Sequence, residues 1–223
     1  IIAIGKTSDI MQTASSVCFY RFSSAGDTLK TVVFPHDQVP LNSRNTAFEI
    51  IPKSDTLFYV SCELTTKLSS IIEIDNNGNI YNRLNINNNN CFAPNNAAPP
   101  MCINETSGEL IISYNKLLSN PPPFISQFEI ASVNQDSIEV LFDIGPNTFE
   151  DIQQIKYYNN SIYIYGILPS TVQGVLQKYS LDGELIWQRE QTGANNANGL
   201  DNYYGLYSPD LLRIGNDGCI YWS

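Results

Sequence analysis

The chain has 223 residues, of which 43% are hydrophobic and 11% aromatic, so it can bury a sizeable core and is not disordered as a whole. Its formal net charge of -10 argues against nucleic acid and anionic membrane surfaces as partners, because both need clustered Lys and Arg. It has no run of about 18 apolar residues, so no segment is expected to span a bilayer.

The first half of the chain reads as short strands separated by turns. Residues 1–34 contain three predicted strands, IIAIG, CFYRFS and TLKTVVF, the last two flanking a turn at 24–27. A Pro-rich loop follows at 35–44. Residues 45–86 then supply four predicted strands, AFEIIP, TLFYVSCEL, SSIIEID and IYNRLNI. Four strands within about forty residues indicate an antiparallel meander.

The second half repeats this pattern. After an irregular stretch at 87–100, residues 100–144 contain MCIN, ELIISY, FISQFEIA and SIEVLFDI. Residues 149–190 contain FEDIQQIKY, IYIYG, VLQKYS and LIWQRE. A loop rich in Gly and Asn leads to a further unit, over 206–223, that begins with DLLRIG and CIYWS. No segment shows the apolar spacing of a helix, so helix is expected to be minor or absent.

The units recur at a measurable period. Five residues occupy the second strand of successive units, and neighbouring members of the series are 56, 53, 52 and 57 residues apart: Ile2, Phe58, Ile111, Tyr163 and Ile220. The hairpin glycines Gly26, Gly78 and Gly183 follow the same period. The sequence therefore predicts an all-β fold, a single β-propeller region over 1–223 built from four-stranded antiparallel blades, of which about four are visible. Both ends fall on a second strand, which predicts either part of a larger ring, with about six to eight blades preferred, or a ring in which one duplicated strand is displaced.

Two stretches, IYIYG…VLQKYSLDGELIWQRE and the opening IIAIGKT…CFYRFSSAGDTLKTVVF, resemble propeller repeats of secreted Bacteroidetes proteins. The matching positions are Gly166, Lys178, Tyr179, Gly183 and Trp187, and more loosely Gly5, Arg21, Phe22 and Gly26. About half of the chain carries the resemblance, because the second and third units lack the Trp. The repeat indicates a fold class and says almost nothing about activity.

This resemblance implies a protein that is secreted or held at the cell surface, on the outer side of the outer membrane, with the periplasm as another possible location. Proteins of this kind often use type IX secretion. Three triplets also resemble the O-glycosylation acceptor of that phylum: Asp27-Thr28-Leu29, Asp55-Thr56-Leu57 and Asp136-Ser137-Ile138. All three fall on predicted turns, where Asp and Thr are favoured for ordinary turn bonding, so the turn alone accounts for them.

Catalytic, metal and cofactor sites are not predicted. His36 is the only histidine, and no Ser or Cys lies in a nucleophile elbow, which disfavours a triad and catalytic zinc. The segment Asp75 to Asn79 has alternating oxygen donors, but its Gly is at the fourth position and no Glu stands at the twelfth, so it predicts a turn rather than a calcium loop. The arginines are scattered, so no sialidase-like clamp is predicted.

Five cysteines are too few for a disulfide scaffold, and an odd number leaves at least one thiol free or paired outside the segment. Cys91 and Cys102 flank a loop rich in Pro and Asn that a disulfide could close, and two unpaired thiols fit equally well. The chain begins at isoleucine without a signal-like region, which indicates a processed or partial chain.

The function classes left open are a non-catalytic recognition or scaffold module, a subunit, plug or cargo of an outer-membrane or secretion assembly, and a glycan-active enzyme. The first two are favoured because no paired acids stand at a predictable place. Tyrosines within strands are expected to pack between blades. Loops 35–44, 87–100 and 192–207 are expected to share one face and to bind a protein or glycan, with four aromatic anchors: Phe92, Tyr203, Tyr204 and Tyr207.

Overall fold

A computed structural model describes residues 1–8, 15–34, 46–65, 68–86, 99–119, 125–134, 137–146, 148–149, 151–168, 174–190, 212–215 and 217–222. Over these ranges the regular structure is strand, with no helix. The strands are β1 Ile2–Ser8, β2 Ser15–Phe22, β3 Thr28–Val33, β4 Thr46–Pro52, β5 Leu57–Thr65, β6 Leu68–Asp75, β7 Ile80–Ile86, β8 Met101–Ile103, β9 Leu110–Ser119, β10 Ile125–Asn134, β11 Ser137–Ile144, β12 Asp151–Tyr158, β13 Ser161–Ile167, β14 Gly174–Ser180, β15 Leu185–Glu190, β16 Leu212–Ile214 and β17 Ile220–Trp222. None of the described residues forms a helix long and apolar enough to cross a membrane.

The strands form sheets in which chain neighbours pair. Three sheets have four strands, in the orders β4-β5-β6-β7, β11-β10-β9-β8 and β12-β13-β14-β15. Two smaller sheets are β1-β2-β3 and β16-β17. Because the four-stranded sheets are antiparallel meanders of short strands, the predicted fold class is confirmed: the described residues form an all-β structure built from four-stranded sheets of the kind that make β-propeller blades.

The chain divides into two compact units, one of residues 1–99 with 135–137 and one of residues 100–134 with 138–223. In the first unit the core lies between the β1–β3 sheet and the β4–β7 sheet and includes Phe19, Val60 and Ile72. In the second unit one core lies between the β8–β11 and β12–β15 sheets. A second core joins β12–β15 to β16–β17 through Tyr163 and Leu212. Each unit is thus held together by apolar packing between consecutive sheets.

Three hairpins share one turn geometry. The first turn residue donates its N–H to the carbonyl four residues later, at 2.8 to 3.0 Å, and the glycine three residues later donates back to the first residue. The first residue's side chain also accepts the backbone N–H four residues later. The glycines have φ of +92°, +78° and +83°, a region that favours Gly, at Gly26, Gly78 and Gly183. The predicted phase of the hairpin glycines is therefore confirmed.

Two of these glycines also pack closely against the preceding sheet of their own unit. A Cβ on Gly78 would lie 2.8 Å from Phe19 Cδ1, and a Cβ on Gly183 would lie 2.6 Å from Phe142 Cβ. A Cβ on Gly26 would meet nothing within 4 Å. The turns at Gly78 and Gly183 therefore pack the outer hairpin of one sheet against a phenylalanine of the sheet before it.

Candidate functional site

The predicted loop anchors cannot be placed. Phe92, Tyr203, Tyr204 and Tyr207 lie outside the described residues, and so do His36 and Cys91. Cys102 is buried on β8. The shared loop surface and the disulfide between Cys91 and Cys102 therefore stay predictions.

Four strand tyrosines of the second unit pack between sheets, as predicted, whereas Tyr81 on β7 and Tyr221 on β17 are exposed. Tyr157, Tyr163, Tyr165 and Tyr179 are all buried in the cores of the second unit. The Tyr179 hydroxyl donates a 2.6 Å hydrogen bond to Gln177 Oε1. Burial raises the pKa of Tyr179 to about 12, so this phenol remains a neutral donor within the core.

A different set of side chains gathers on one face of the β12–β15 sheet. The pairing register sets Tyr163 opposite Lys178, and Lys178 opposite Trp187. Arg189 lies two residues beyond Trp187, opposite Leu176. Because alternate strand residues point to the same side of a sheet, these four side chains share a face. We call Tyr163, Lys178, Trp187 and Arg189 the cation-aromatic face.

Each of the four side chains contacts the next, from Lys178 through Tyr163 and Trp187 to Arg189. Lys178 Nζ lies 5.4 Å from the centroid of the Tyr163 ring. The Tyr163 and Trp187 rings meet edge to face, with centroids 6.0 Å apart and an interplanar angle of 65°. Arg189 Cζ lies 5.9 Å from the Trp187 centroid. Each cation is therefore held over a ring whose negative face attracts it, which fixes two long side chains on a rigid support.

The two cations of this face, Lys178 and Arg189, form no ion pair with any residue that the structure describes. The residues that share the face on β13, β14 and β15 include no Asp or Glu, and β12 adds Lys156 opposite Tyr163 and Asp151 opposite Ile167. Arg189 Nη1 donates to the carbonyl of Gln188 at 3.0 Å. In a chain of net charge -10, this face therefore presents local positive charge beside aromatic rings.

One end of the face is covered and the other is open. Tyr163 is buried together with Leu212, and Ile214 and Ile220 of the β16–β17 sheet pack against the same cluster. The Leu212 N–H donates to Gln154 Oε1 at 2.5 Å, which attaches β16 to β12. Trp187 is partly buried and packs against the same cluster, whereas Arg189 is exposed. Arg189 is therefore the part of the face that solvent reaches most.

A buried carboxylate occupies another sheet of the same unit. Glu129 on β10 is 2% exposed and lies opposite Tyr114 on β9. The Tyr114 hydroxyl donates to Glu129 Oε2, and Lys116 Nζ donates to Oε1 at 2.5 Å. Both oxygens of this carboxylate are thus engaged by neighbouring side chains, which offsets the cost of burying its charge.

The predicted turn at Asp75 is present, and its carboxylate caps it. Asp75 Oδ1 accepts the N–H of Asn77 at 2.7 Å and of Asn79 at 2.9 Å, and Oδ2 accepts Asn79 Nδ2 at 2.8 Å. Desolvation raises the pKa of Asp75, but the hydrogen bonds from Asn79 and Asn77 outweigh it and hold that pKa below its usual value. Within the described ranges, no three His, Cys, Asp or Glu side chains are grouped to hold a metal ion.

The thiols differ in environment and should differ in reactivity. Burial raises the pKa of the Cys62 thiol to about 12, and the charge of Arg83 only partly opposes this. Cys219 is exposed, although its contacts with the Asp217 carboxylate raise its pKa. Because the thiolate is the reactive form, maleimide at about pH 8 should label native Cys219 about 100-fold or more faster than Cys62.

Peptide mass spectrometry after timed quenching measures this ratio. Labelling in urea is the control, since unfolding should make the two rates similar. Equal rates in the native protein would contradict the buried position of Cys62.

The sequence indicates part of this arrangement. Lys178 and Trp187 match the repeat, which assigns them no binding role. The repeat does not single out Tyr163 and Arg189 as parts of a site, nor Glu129, Tyr114 and Lys116. The available signal was the spacing of two, in Trp187-x-Arg189 and Tyr114-x-Lys116, which places both residues of each pair on one face of a strand.

Comparison with known proteins adds fold neighbours of low similarity. No protein-family model matches the chain. No curated protein matches it either. The chain is similar to a Bacteroides caccae protein of unknown function, with 11% identity, a TM-score of 0.33, and coverage of 79% of this chain and 78% of that one. It is also similar to the WD40 domain of SCAP from fission yeast, with 11% identity, a TM-score of 0.27, and coverage of 80% and 52%. Similarity at this level assigns no family, and the fold rests on the sheets themselves.

Proposed function

We propose that this chain is a non-catalytic recognition module, secreted or at the cell surface, that contacts a protein or a glycan. The observation that carries the proposal is the cation-aromatic face, where Lys178 and Arg189 have no acidic partner among the described residues. Rigid, aromatic-supported cations favour recognition, because little side-chain entropy remains to be lost on binding. The extracellular location is supported by the resemblance of the repeats alone.

The state of the described buried carboxylates supports a non-catalytic role. A general acid or base must come within hydrogen-bond reach of a substrate. Glu129 is 2% exposed and accepts hydrogen bonds from Tyr114 and Lys116. Asp75 uses its oxygens to cap a hairpin turn. These hydrogen bonds stabilise strands and turns, and recognition through surface side chains requires neither group.

Affinity capture with a charge-matched pair of variants tests this function. The immobilised chain is incubated with secreted, cell-envelope and cytosolic fractions of the source organism. We expect specific capture from the first two fractions, and at least about a 10-fold loss with Lys178→Gln/Arg189→Gln, because each removed cation forfeits a charge-assisted contact.

The control variant is Lys30→Gln/Arg213→Gln, which removes the same two charges from exposed positions outside the face. It should capture as the parent chain does. Equal capture by both variants would overturn the assignment of recognition to this face.

A further inference from the structure

We propose that the core of the second unit contains a binding site for one ordered water molecule, held by Ser113 Oγ and Asn115 Oδ1 of β9. Both oxygens are buried, and neither has a hydrogen-bond partner among the residues that the structure describes. Buried polar groups in folded proteins are almost always paired, either with protein groups or with ordered water. These two atoms therefore mark a site for a small hydrogen-bond donor.

The two oxygens lie on the same side of β9. Ser113 and Asn115 are two residues apart on one strand, so their side chains share a face with Ile111, a member of the core between the β8–β11 and β12–β15 sheets. On β10, Ile130 lies opposite Ser113 and Phe128 lies opposite Asn115, and both belong to the same core. The two oxygens are therefore next to apolar side chains, which offer them no hydrogen bonds.

The spacing of the two residues suits a single bridging molecule. Alternate Cα atoms of a strand are about 6.6 Å apart, and a water about 2.8 Å from each of two oxygens spans up to about 5.6 Å. Ser113 is 1% exposed, so bulk solvent does not reach its hydroxyl. Its backbone N–H already donates to the Pro100 carbonyl at 3.1 Å. The hydroxyl is thus the group of Ser113 that needs a partner.

Water fits this pair of ligands better than a cation does. A water molecule can donate one hydrogen to Asn115 Oδ1 and either donate to Ser113 Oγ or accept its proton. Both oxygens are neutral. A cation bound by them would keep an uncompensated charge within the core, which costs far more than burying a neutral molecule.

The position of Ser113 recurs in the preceding four-stranded sheet. Ser61 on β5 stands 52 residues before Ser113, one repeat earlier, and also on the second strand of its sheet. Ser61 is fully buried, and its hydroxyl likewise lacks a partner among the described residues. On β13 the residue 52 positions after Ser113 is Tyr165, a larger side chain that is buried too. A small side chain with an unpaired hydroxyl in two sheets favours a feature of the repeat over an isolated packing defect.

A crystal structure of the whole 223-residue chain tests the site directly. We expect electron density for one water at about 2.7 to 3.2 Å from both Ser113 Oγ and Asn115 Oδ1. The proposal would be overturned by the lack of such density, by a direct hydrogen bond between the two side chains, or by another protein group bonded to either oxygen.

Substitution gives an independent test, because a paired and an unpaired hydroxyl predict opposite signs. If water bonds the hydroxyl, Ser113→Ala removes a hydrogen bond and should lower the equilibrium constant for folding by about 3- to 10-fold. If the hydroxyl is unpaired, the same change removes a buried polar group without losing a bond and should raise that constant. Urea denaturation followed by circular dichroism measures the constant.

Ser70→Ala is the matched control. Ser70 is fully buried, and its hydroxyl donates to Asn85 Oδ1 at 2.9 Å, so this change removes a hydrogen bond between two protein groups. We expect it to lower the folding constant by a factor similar to that of Ser113→Ala. A higher constant for Ser113→Ala beside a lower one for Ser70→Ala would overturn the proposal.

Asn115→Leu tests whether the two oxygens share one molecule. Leu resembles Asn in shape but cannot bind water, so this variant removes one ligand of the site. In the Asn115→Leu background, Ser113→Ala should lower the folding constant by a smaller factor than it does alone, because the bridge is already broken. An unchanged factor would show that the two residues do not hold the same water.

Discussion

Gly183→Ala is expected to lower the free energy of unfolding by about 3 to 4 kcal/mol, the sum of a backbone penalty and a steric penalty. Gly183 has φ of +83°, where an L side chain costs about 1 kcal/mol or more. Its added Cβ would lie 2.6 Å from Phe142 Cβ and 2.8 Å from Phe142 Cγ. The Phe142 ring is itself stacked on Tyr179, with centroids 5.5 Å apart, so it cannot retreat without disturbing the core.

Gly26→Ala is the matched control. Gly26 occupies the same position of the same turn, with φ of +92°, but its Cβ would meet nothing within 4 Å. Gly26→Ala should therefore lower the free energy of unfolding by the backbone penalty alone, about 1 kcal/mol. Urea denaturation followed by circular dichroism measures both values. An equal loss of stability in the two variants would show that close packing of the Gly183 turn against Phe142 does not contribute to stability.

Tyr114→Phe is expected to destabilise the protein by about 2 kcal/mol, because it removes a donor from a buried charge. Glu129 is 2% exposed, and the Tyr114 hydroxyl is one of the two side-chain groups that engage its carboxylate. The ring itself is retained, so packing changes little. The same denaturation experiment gives the value.

Two comparisons isolate the contact between Tyr114 and Glu129. Tyr81→Phe removes a hydroxyl from a side chain that is 67% exposed, and should change stability by less than about 0.5 kcal/mol. In a Glu129→Gln background, Tyr114→Phe should cost less than it does alone, because the charge that needs the donor is gone. An undiminished cost in that background would show that the hydroxyl acts through some other contact.

The sequence predicted the elements that depend on neighbouring residues. β-branched and aromatic residues cluster in strands such as Ser161–Ile167, and a glycine marks the outer hairpin turns at Gly26, Gly78 and Gly183. These features are local, because strand periodicity and a positive φ need only a few consecutive residues. The four-stranded unit followed from their order along the chain.

The tertiary structure decided which side chains meet. Bulges after Ala47 and after Ile152 shift the pairing of β4 and β12 by one residue, and neither carries a signal in the sequence. Register across strands then brings Lys178 over Tyr163 and Arg189 over Trp187.

By itself, then, the sequence determined the all-β class, the strand order and the turns of this protein. Only the folded sheets determined that Tyr114 and Lys116 both bind the buried Glu129 carboxylate and that Lys178 and Arg189 share a face with Tyr163 and Trp187. The physical reason is that alternation along one strand assigns each residue to a side of the sheet, whereas contact depends on the register between strands far apart in the chain.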